Sequence, residues 1–242
     1  MKISVCMATY NGAKHIRRQL VSIFNQLGPN DQLVVVDDRS TDNTVQIIKS
    51  FQDSRIQLHL NAVNIGAVRT FDRALHLLQG DLIFLSDQDD RWYDDKVSVI
   101  LKIFSSRCVD LIVHDAIIVE GNRIISDSLF KFRNSSAGVI KNLISNTYTG
   151  CCMAFKRDIL SKVLPIPAKK GIFHDAWIGI LAEYYGYKIA FIDIPLIEFN
   201  RHDRNVTTIK RRKITRILSE RLILLLALIT HIIQVYFKKG SH

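Results

Sequence analysis

Apolar positions in the first 85 residues follow two alternating rhythms. β-rich runs occupy Ile3 to Ala8, Gln32 to Val36, Ile56 to Leu60 and Asp81 to Leu85. Between them apolar side chains recur at steps of three and four: Ile16, Leu20, Ile23, Phe24 and Leu27, then Val45, Ile48 and Phe51, then Val68, Phe71, Leu75 and Leu78. Such steps put side chains on one helix face, so the pattern predicts β-α-β-α-β-α-β. Short strands joined by helices predict an α/β fold with a mainly parallel central sheet flanked by helices. In such sheets ligands bind outside the carboxyl ends of the strands.

The second half is less regular. A strand from Leu111 to Val119 passes through Glu120-Gly121-Asn122 into Arg123 to Ile125, the signal of a hairpin. A further apolar strand is expected at Cys151 to Phe155, a helix from Asp175 through Tyr185, and closing strands at Lys188 to Ile192 and Leu196 to Phe199. Near Thr207 the chain turns basic and then strongly apolar, which divides it into a body (1–206) and a helical tail (207–242).

Composition narrows the class. A chain of 242 residues, 48% hydrophobic and 23% charged, can bury a large core and is neither collagenous nor disordered. Its four cysteines, Cys6, Cys108, Cys151 and Cys152, have no CxxC spacing, which argues against a zinc site or a disulfide framework and for a reducing, cytoplasmic compartment. A single Lys2 and a short apolar run are too little for a signal peptide.

The formal charge of +10 is concentrated in the tail, where residues 201–242 hold ten Lys and Arg against Asp203 and Glu220. The body is close to neutral, so the basic partner surface is local. The apolar stretch Leu222 to Phe237 has 16 residues, short of the roughly 20 a membrane span needs. With Lys210 to Arg216, Arg221, Lys238 and Lys239 around it, it reads as a helix lying on an anionic membrane at its inner face. The alternative is a helix packed on the body or on a second subunit in a homo-oligomer.

The chemical signal is acidic. Strand Leu33 to Val36 runs into Asp37-Asp38, followed by Arg39-Ser40-Thr41-Asp42, which also resembles a helix cap. Strand Leu82 to Leu85 runs into Ser86-Asp87-Gln88-Asp89-Asp90. Clustered carboxylates raise one another's proton affinity unless solvated or neutralised by a cation, and hard oxygen donors suit Mg²⁺ or Mn²⁺. Asp175 opens a helix, where an acid serves either as a base or as a simple cap. His114 and Asp115 end another strand and are candidates to face a substrate. Trp92 and Trp177, and the thiols of Cys151 and Cys152, read as core.

Five segments in order resemble glycosyltransferase family 2. They are Ser4-Val5-Cys6-Met7-Ala8-Thr9-Tyr10-Asn11, Val35-Val36-Asp37-Asp38-Arg39-Ser40-Thr41-Asp42, Asp87-Gln88-Asp89-Asp90, His174-Asp175-Ala176-Trp177, and Asn200-Arg201-His202-Asp203-Arg204-Asn205-Val206, the last like the ending of bacterial polysaccharide members. The resemblance implies a GT-A fold and inverting transfer of a hexosyl or rhamnosyl unit from a nucleoside-diphosphate sugar to a saccharide or lipid-linked saccharide, as in O-antigen synthesis. It also implies roles: Ala8 and Thr9 beside the base, Asp38 on base or ribose, and Asp87 and Asp89 as the DxD element with Asp89 the closer metal ligand. Asp175 would be the general base, and Arg201 and His202 would lie near the diphosphate, with His202 also near the metal. Arg39 departs from the family's usual Gly, Tyr93 and Asp94 lie where Pro is usual, and Ala176 replaces a frequent Trp.

Other classes fit less well. The turn Thr9-Tyr10-Asn11-Gly12-Ala13 lacks the GxGxxG of a dinucleotide site, and no GxxxxGK[ST] is present. A phosphatase with a strand-end Asp-x-Asp would carry it on the first strand. A sugar nucleotidyltransferase, the nearest alternative, would have a Gly-, Arg- and Lys-rich first loop. A nucleic-acid module would leave the acids unexplained, since they repel phosphate.

Overall fold

The alternation expected for the first 85 residues is present in the computed structural model, which describes residues 1–121, 123–201 and 214–239. It runs β1 (Ile3–Thr9), α1 (Ile16–Phe24), β2 (Gln32–Asp37), α2 (Thr44–Lys49), β3 (Ile56–Leu60), α3 (Ala67–Leu75) and β4 (Leu82–Ser86). These four strands are parallel, in the order β3-β2-β1-β4. Helices cover both faces, so β1, β2 and β4 are buried nearly end to end, which is why they read as continuous Val/Ile/Leu runs. Edge strand β3 is half-buried.

The chain continues as β5 (Arg91–Trp92), α4 (Lys96–Ser106), β6 (Leu111–Glu120), β7 (Arg123–Ser126), α5 (Leu129–Arg133) and α6 (Val139–Ile144). A 3-10 turn at Gly150–Cys152 leads to β8 (Met153–Lys156), α7 (Leu160–Val163), α8 (His174–Tyr184), β9 (Ile189–Asn200) and α9 (Ile214–Lys239). The sheet extends as β4-β8-β6-β9-β5, with β7 hairpinned on β6. Strand β8 is antiparallel to both neighbours, β9 parallel to β6, and β5 antiparallel to β9. The fold is thus mixed α/β, parallel in its first half and mixed in its second.

Three expectations are revised. Cys151 and Cys152 belong to the 3-10 turn, where Cys152 N–H donates to the Thr149 carbonyl at 3.0 Å, and the strand starts at Met153. The two closing strands are one, β9, whose pairing with β6 is broken by bulges around Asp115 and Pro195. Pro195 has no N–H to offer the ladder, which explains the apparent gap.

The tail, third, is longer than its apolar stretch suggested. Within α9, Thr215–Phe237 is long and apolar enough, by length and composition alone, to cross a membrane, with mean hydropathy 1.7. Yet one side of it is docked. Leu224, Ala227 and Leu228 join the same buried cluster as the sheet. The His231 ring lies edge-on to Trp177 with centroids 5.1 Å apart, and its Nε2 is 2.7 Å from the Lys162 carbonyl. The segment before α8 presses on α9 so closely that a Cβ at Gly171 would lie 2.7 Å from Glu220 Cβ. The basic run Lys210 to Lys213 lies outside the described residues.

Candidate active site

The parallel register brings the carboxyl ends of β1, β2 and β4 to one edge, with Thr9 opposite Asp37 and Met7 opposite Ser86. There the two strand-end acids take separate tasks. Asp37 ties β1 to β2: its Oδ2 accepts from Thr9 Oγ1 at 2.8 Å and Ser40 Oγ at 2.6 Å, and its Oδ1 from Ser40 N–H at 2.8 Å. Asp38 instead shapes the 61–66 loop. Its Oδ1 accepts from Asn61 Nδ2 and Ile65 N–H, and its Oδ2 from Gly66 N–H, all at 2.8 Å. Asp38 is buried, and both of its carboxylate oxygens are taken up by the loop it holds.

Arg39 adopts a left-handed φ of 63°, a conformation that favours Gly. This accounts for the Gly usual at that place, and the Arg39 guanidinium folds onto the Ala62 carbonyl. Two loops latch alongside: Thr41 N–H donates to Asn11 Oδ1 at 2.8 Å, and Gly12 N–H to Thr44 Oγ1 at 2.8 Å. Ala8 and Thr9 border this edge, Ala8 half-buried and Thr9 buried.

The acidic turn after β4 is fastened to β1 by Gln88. Its amide accepts from Tyr10 N–H and donates to the Tyr10 carbonyl, each at 3.0 Å, as a strand neighbour would. Gly12 makes room for it, since a Cβ there would fall 2.2 Å from Gln88 Oε1. Asp87 and Asp89 are half-buried and Asp90 is buried.

Ligand atoms of Asp87, Asp90 and Cys151 lie within 4.8 Å of one another, so the turn after β4 and the 3-10 turn form one cluster. Burial, then the Asp89 and Asp175 charges, push the Asp87 carboxyl up to about 7. Burial, then the Asp89 and Asp87 charges, hold Asp90 well above the usual range, and its Oδ2 has no hydrogen-bond partner among the described residues. One buried cation answers them: Lys96 Nζ donates to the Cys151 carbonyl at 2.9 Å and sits 4.1 Å from the Trp92 ring centroid. Burial draws its pKa down to about 8 despite the acids nearby.

Across from this cluster stands the N-terminus of α8. Asp175, in the first turn of α8, accepts at its Oδ1 from Ala176 N–H at 2.6 Å and from Asn146 Nδ2 at 3.3 Å, and its charge reaches Asp87. His174 stacks on Phe71, with centroids 3.9 Å apart, and burial lowers its pKa.

Other expected residues divide. Trp92 and Trp177 are fully buried, the latter donating to the Val163 carbonyl at 2.7 Å. Asp115 is taken up by the start of α5, accepting from Phe130 N–H at 2.9 Å and from the Oγ of Ser128, the residue that caps that helix. His114 is buried, with Nδ1 2.7 Å from the Asp115 carbonyl, and burial and the Lys96 charge push its pKa well below the usual value. At the end of β9, Asn200 N–H donates to Asp90 Oδ1 at 3.0 Å, which brings Arg201 beside the acidic turn. Arg201 is half-buried, its guanidinium 5.8 Å from the Phe132 ring centroid. His202 lies outside the described residues.

Against known proteins, the sequence profile described as glycosyl transferase family 2 matches residues 4–164, from β1 through β8 and α7. The chain belongs to glycosyltransferase family 2. Among relatives of this glycosyltransferase are an uncharacterised glycosyltransferase of Nostoc, 28% identical over 85% of this chain and 66% of the other. A second is the Escherichia coli UDP-Glc:α-D-GlcNAc-diphosphoundecaprenol β-1,3-glucosyltransferase WfgD, 26% identical over 75% of this chain and 70% of its own length. A third is the Shigella flexneri dTDP-rhamnosyl transferase RfbG, 43% identical over 38% of this chain and 34% of its own.

In structure, the Staphylococcus aureus TarS fragment in complex with UDP-GlcNAc is similar with a TM-score of 0.74 at 19% identity, over 91% of this chain and 64% of that one. The Pyrobaculum calidifontis mannosyltransferase PcManGT, in complex with GDP-Man and Mn²⁺, has a TM-score of 0.60 at 22% identity, over 80% and 54%. These likenesses establish the GT-A fold. The chain spans about two thirds of the length of the Nostoc relative and of the TarS fragment.

The acidic turn has the chemistry a divalent cation needs: hard carboxylate oxygens, one of them buried without a partner, on a backbone held by Gln88. Two members of this glycosyltransferase's cluster escape a motif-based reading, Lys96 and the Cys151 carbonyl. A lysine opening a helix looks like solvent-facing surface, and a main-chain acceptor carries no sequence mark. Asn146, beside Asp175, is missed for the same lack of pattern.

Proposed function

We propose that this family 2 enzyme is a metal-dependent, inverting glycosyltransferase that moves a sugar from a nucleoside diphosphate to a hydroxyl of a saccharide acceptor in bacterial surface-polysaccharide synthesis. The observation that carries this reading is the convergence of the acids after β4 with the start of α8: ligand atoms of Asp87 and Asp90 lie within 4.8 Å of that of Cys151, whose neighbour Gly150 packs directly on His174, next to Asp175.

Asp89 and Asp87 would hold Mn²⁺ or Mg²⁺, which when bound supplies Lewis-acid stabilisation of the departing diphosphate. The chain does the rest. Ala8, Thr9 and the loop shaped by Asp38 hold the nucleotide; Arg201, and His202 when protonated, add positive charge beside the leaving group. Asp175, fixed by Ala176 N–H and Asn146, takes the proton of the attacking hydroxyl from the side opposite the diphosphate. One displacement between two opposed groups inverts the anomeric centre.

The names of WfgD and RfbG support a UDP-hexose or dTDP-rhamnose donor, and that of WfgD an acceptor carried on a lipid diphosphate. The test is a donor-hydrolysis screen across UDP-, dTDP- and GDP-sugars with Mn²⁺ or Mg²⁺, run on the full chain and on Asp89→Ala. Hydrolysis should require metal, favour one donor and be lost in the variant. Metal-independent hydrolysis, or an Asp89→Ala enzyme with unchanged donor affinity, would refute the metal site.

A further inference from the structure

We infer that the outward face of α9, together with the exposed side of α6, is a docking surface for an anionic lipid bilayer on which the enzyme lies without crossing it. The first observation is a stripe. Leu218, Leu222, Leu226, Ile229, Ile233 and Phe237 are all exposed, from 45% at Ile229 to 69% at Phe237. Their spacing of four, four, three, four and four residues keeps them on one face of the helix, over roughly 30 Å at 1.5 Å per residue. Along this length the described residues leave the stripe uncovered on the water side of a docked helix.

The second observation comes from another element. Helix α6 lies against α9 and exposes Ile140 (75%) and Ile144 (69%), so the apolar surface continues beyond one helix. Two residues past Ile144, Asn146 holds Asp175. The surface therefore adjoins the base side of the cleft, and a hydroxyl on a lipid-linked saccharide would arrive there from the headgroup layer. That consequence rests on the function proposed above; the docking does not.

Three occupants compete, and packing and charge choose among them. A membrane crossing would surround α9 with lipid on all sides, but Leu224, Ala227, Leu228 and His231 are buried against the domain and would have to leave it. A second copy would bring two tails together, each with ten Lys and Arg against two acids in residues 201–242, and like charges oppose that pairing. An anionic bilayer satisfies both features: the stripe enters the interface while the basic residues of the tail meet phosphate headgroups.

The test is flotation of the full chain with phosphatidylglycerol-containing and pure phosphatidylcholine vesicles at low and high salt, beside Leu222→Glu/Leu226→Glu/Ile233→Glu and Ile140→Glu/Ile144→Glu variants. These positions are exposed, so the variants should keep the parent's thermal melt and metal-dependent donor hydrolysis. The parent should float with anionic vesicles and be released by salt. The triple variant should lose about tenfold or more of the bound fraction, and the α6 variant a smaller share. No flotation with anionic vesicles, equal flotation with neutral ones, or an undiminished triple variant would overturn the inference. So would a dimer, seen by light scattering, that the triple variant dissociates with no change in flotation. Donor hydrolysis is read separately, so its failure would fall on the proposed reaction and leave the docking standing.

Discussion

Gly150→Ala perturbs the side of the site where the general base is proposed, through a side chain that carries no charge of its own. Gly150 opens the 3-10 turn, and a Cβ there would lie 2.6 Å from His174 Nε2, with Cδ2 and Cε1 both at 3.5 Å. An ordinary contact needs about 3.5 Å, so the imidazole must yield by about 0.9 Å. Because the two carbons are equidistant, the push runs along the ring toward its own Cα, and the stack on Phe71 keeps the ring from swinging aside. The N-terminus of α8 must retreat, and Asp175 with it.

Overpacking of this kind costs about 1–3 kcal/mol of stability. A displacement near 1 Å at a reacting group costs roughly 10²-fold in rate. Steady-state transfer kinetics should therefore show kcat reduced by one to two orders of magnitude, with metal-dependent nucleotide affinity by calorimetry within about threefold of the parent. Gly121→Ala is the control, since Gly121 has φ 60° and open space around it, so it loses stability through backbone strain alone. In a double-mutant cycle, Gly150→Ala should add nothing to His174→Ala. A Gly150→Ala enzyme with full kcat, or a Gly121→Ala enzyme that loses as much, would refute the reasoning that pressure on the His174 ring displaces Asp175.

Asp175→Asn should keep donor affinity and lower turnover by about 10²-fold or more, measured with a transferred-sugar assay; near-normal turnover would assign the base elsewhere. Asp115→Asn should do the reverse, lowering the melting temperature through the lost α5 contacts while turnover stays normal, because its carboxylate is bonded to Ser128 and Phe130. Asp87 holds its proton up to about 7 in the folded chain against a usual 3.8. The unfolded chain therefore binds fewer protons between those values, and stability falls as pH rises through them, by up to about 4 kcal/mol from this group. Urea melts in chelator at pH 5 and 7.5 should show the fall, and Asp87→Asn should flatten it; an unchanged slope in that variant would remove Asp87 from the cause.

Much of this was legible because the first half obeys simple periodicity. β1 to β4 announce themselves as apolar runs, and the parallel crossovers then leave Asp37, Asp38 and the Asp87–Asp90 turn no place but one edge of the sheet. What sequence patterns do not reveal are contacts made by groups that carry no mark. Cys151 contributes its carbonyl, Gly150 its missing Cβ, and Lys96 an ammonium buried where its place at the start of α4 suggests exposure. Asp115 fails in the opposite sense: an acid near a strand's carboxyl end looks available, yet the bulge at Asp115 and Pro195 turns it toward α5. Asp38 is a strand-end acid whose carboxylate is spent on fastening the 61–66 loop, a task its place after β2 does not announce.

The acid cluster also explains why so much of the surrounding structure is given to restraint. Asp87 and Asp90 keep their protons beyond the usual range, Asp90 Oδ2 has no partner, and Lys96 is drawn down to about 8, so each group is less comfortable here than in water. A loop free to move would relax by swinging the acids into solvent. It is prevented from doing so at three points: Gln88 pairs with Tyr10, Asn200 N–H holds Asp90, and Lys96 binds the Cys151 carbonyl beneath them. Repulsion that the backbone cannot relieve is what a cation would relieve under the proposed function, and acids held together in this way would favour a metal-bearing diphosphate over a neutral ligand. Loosening the Gln88 fastening, for example by Gln88→Ala, should therefore raise the stability of the metal-free chain while weakening its hold on the nucleotide, whereas removing Lys96 takes away the acids' own cation and should lower stability.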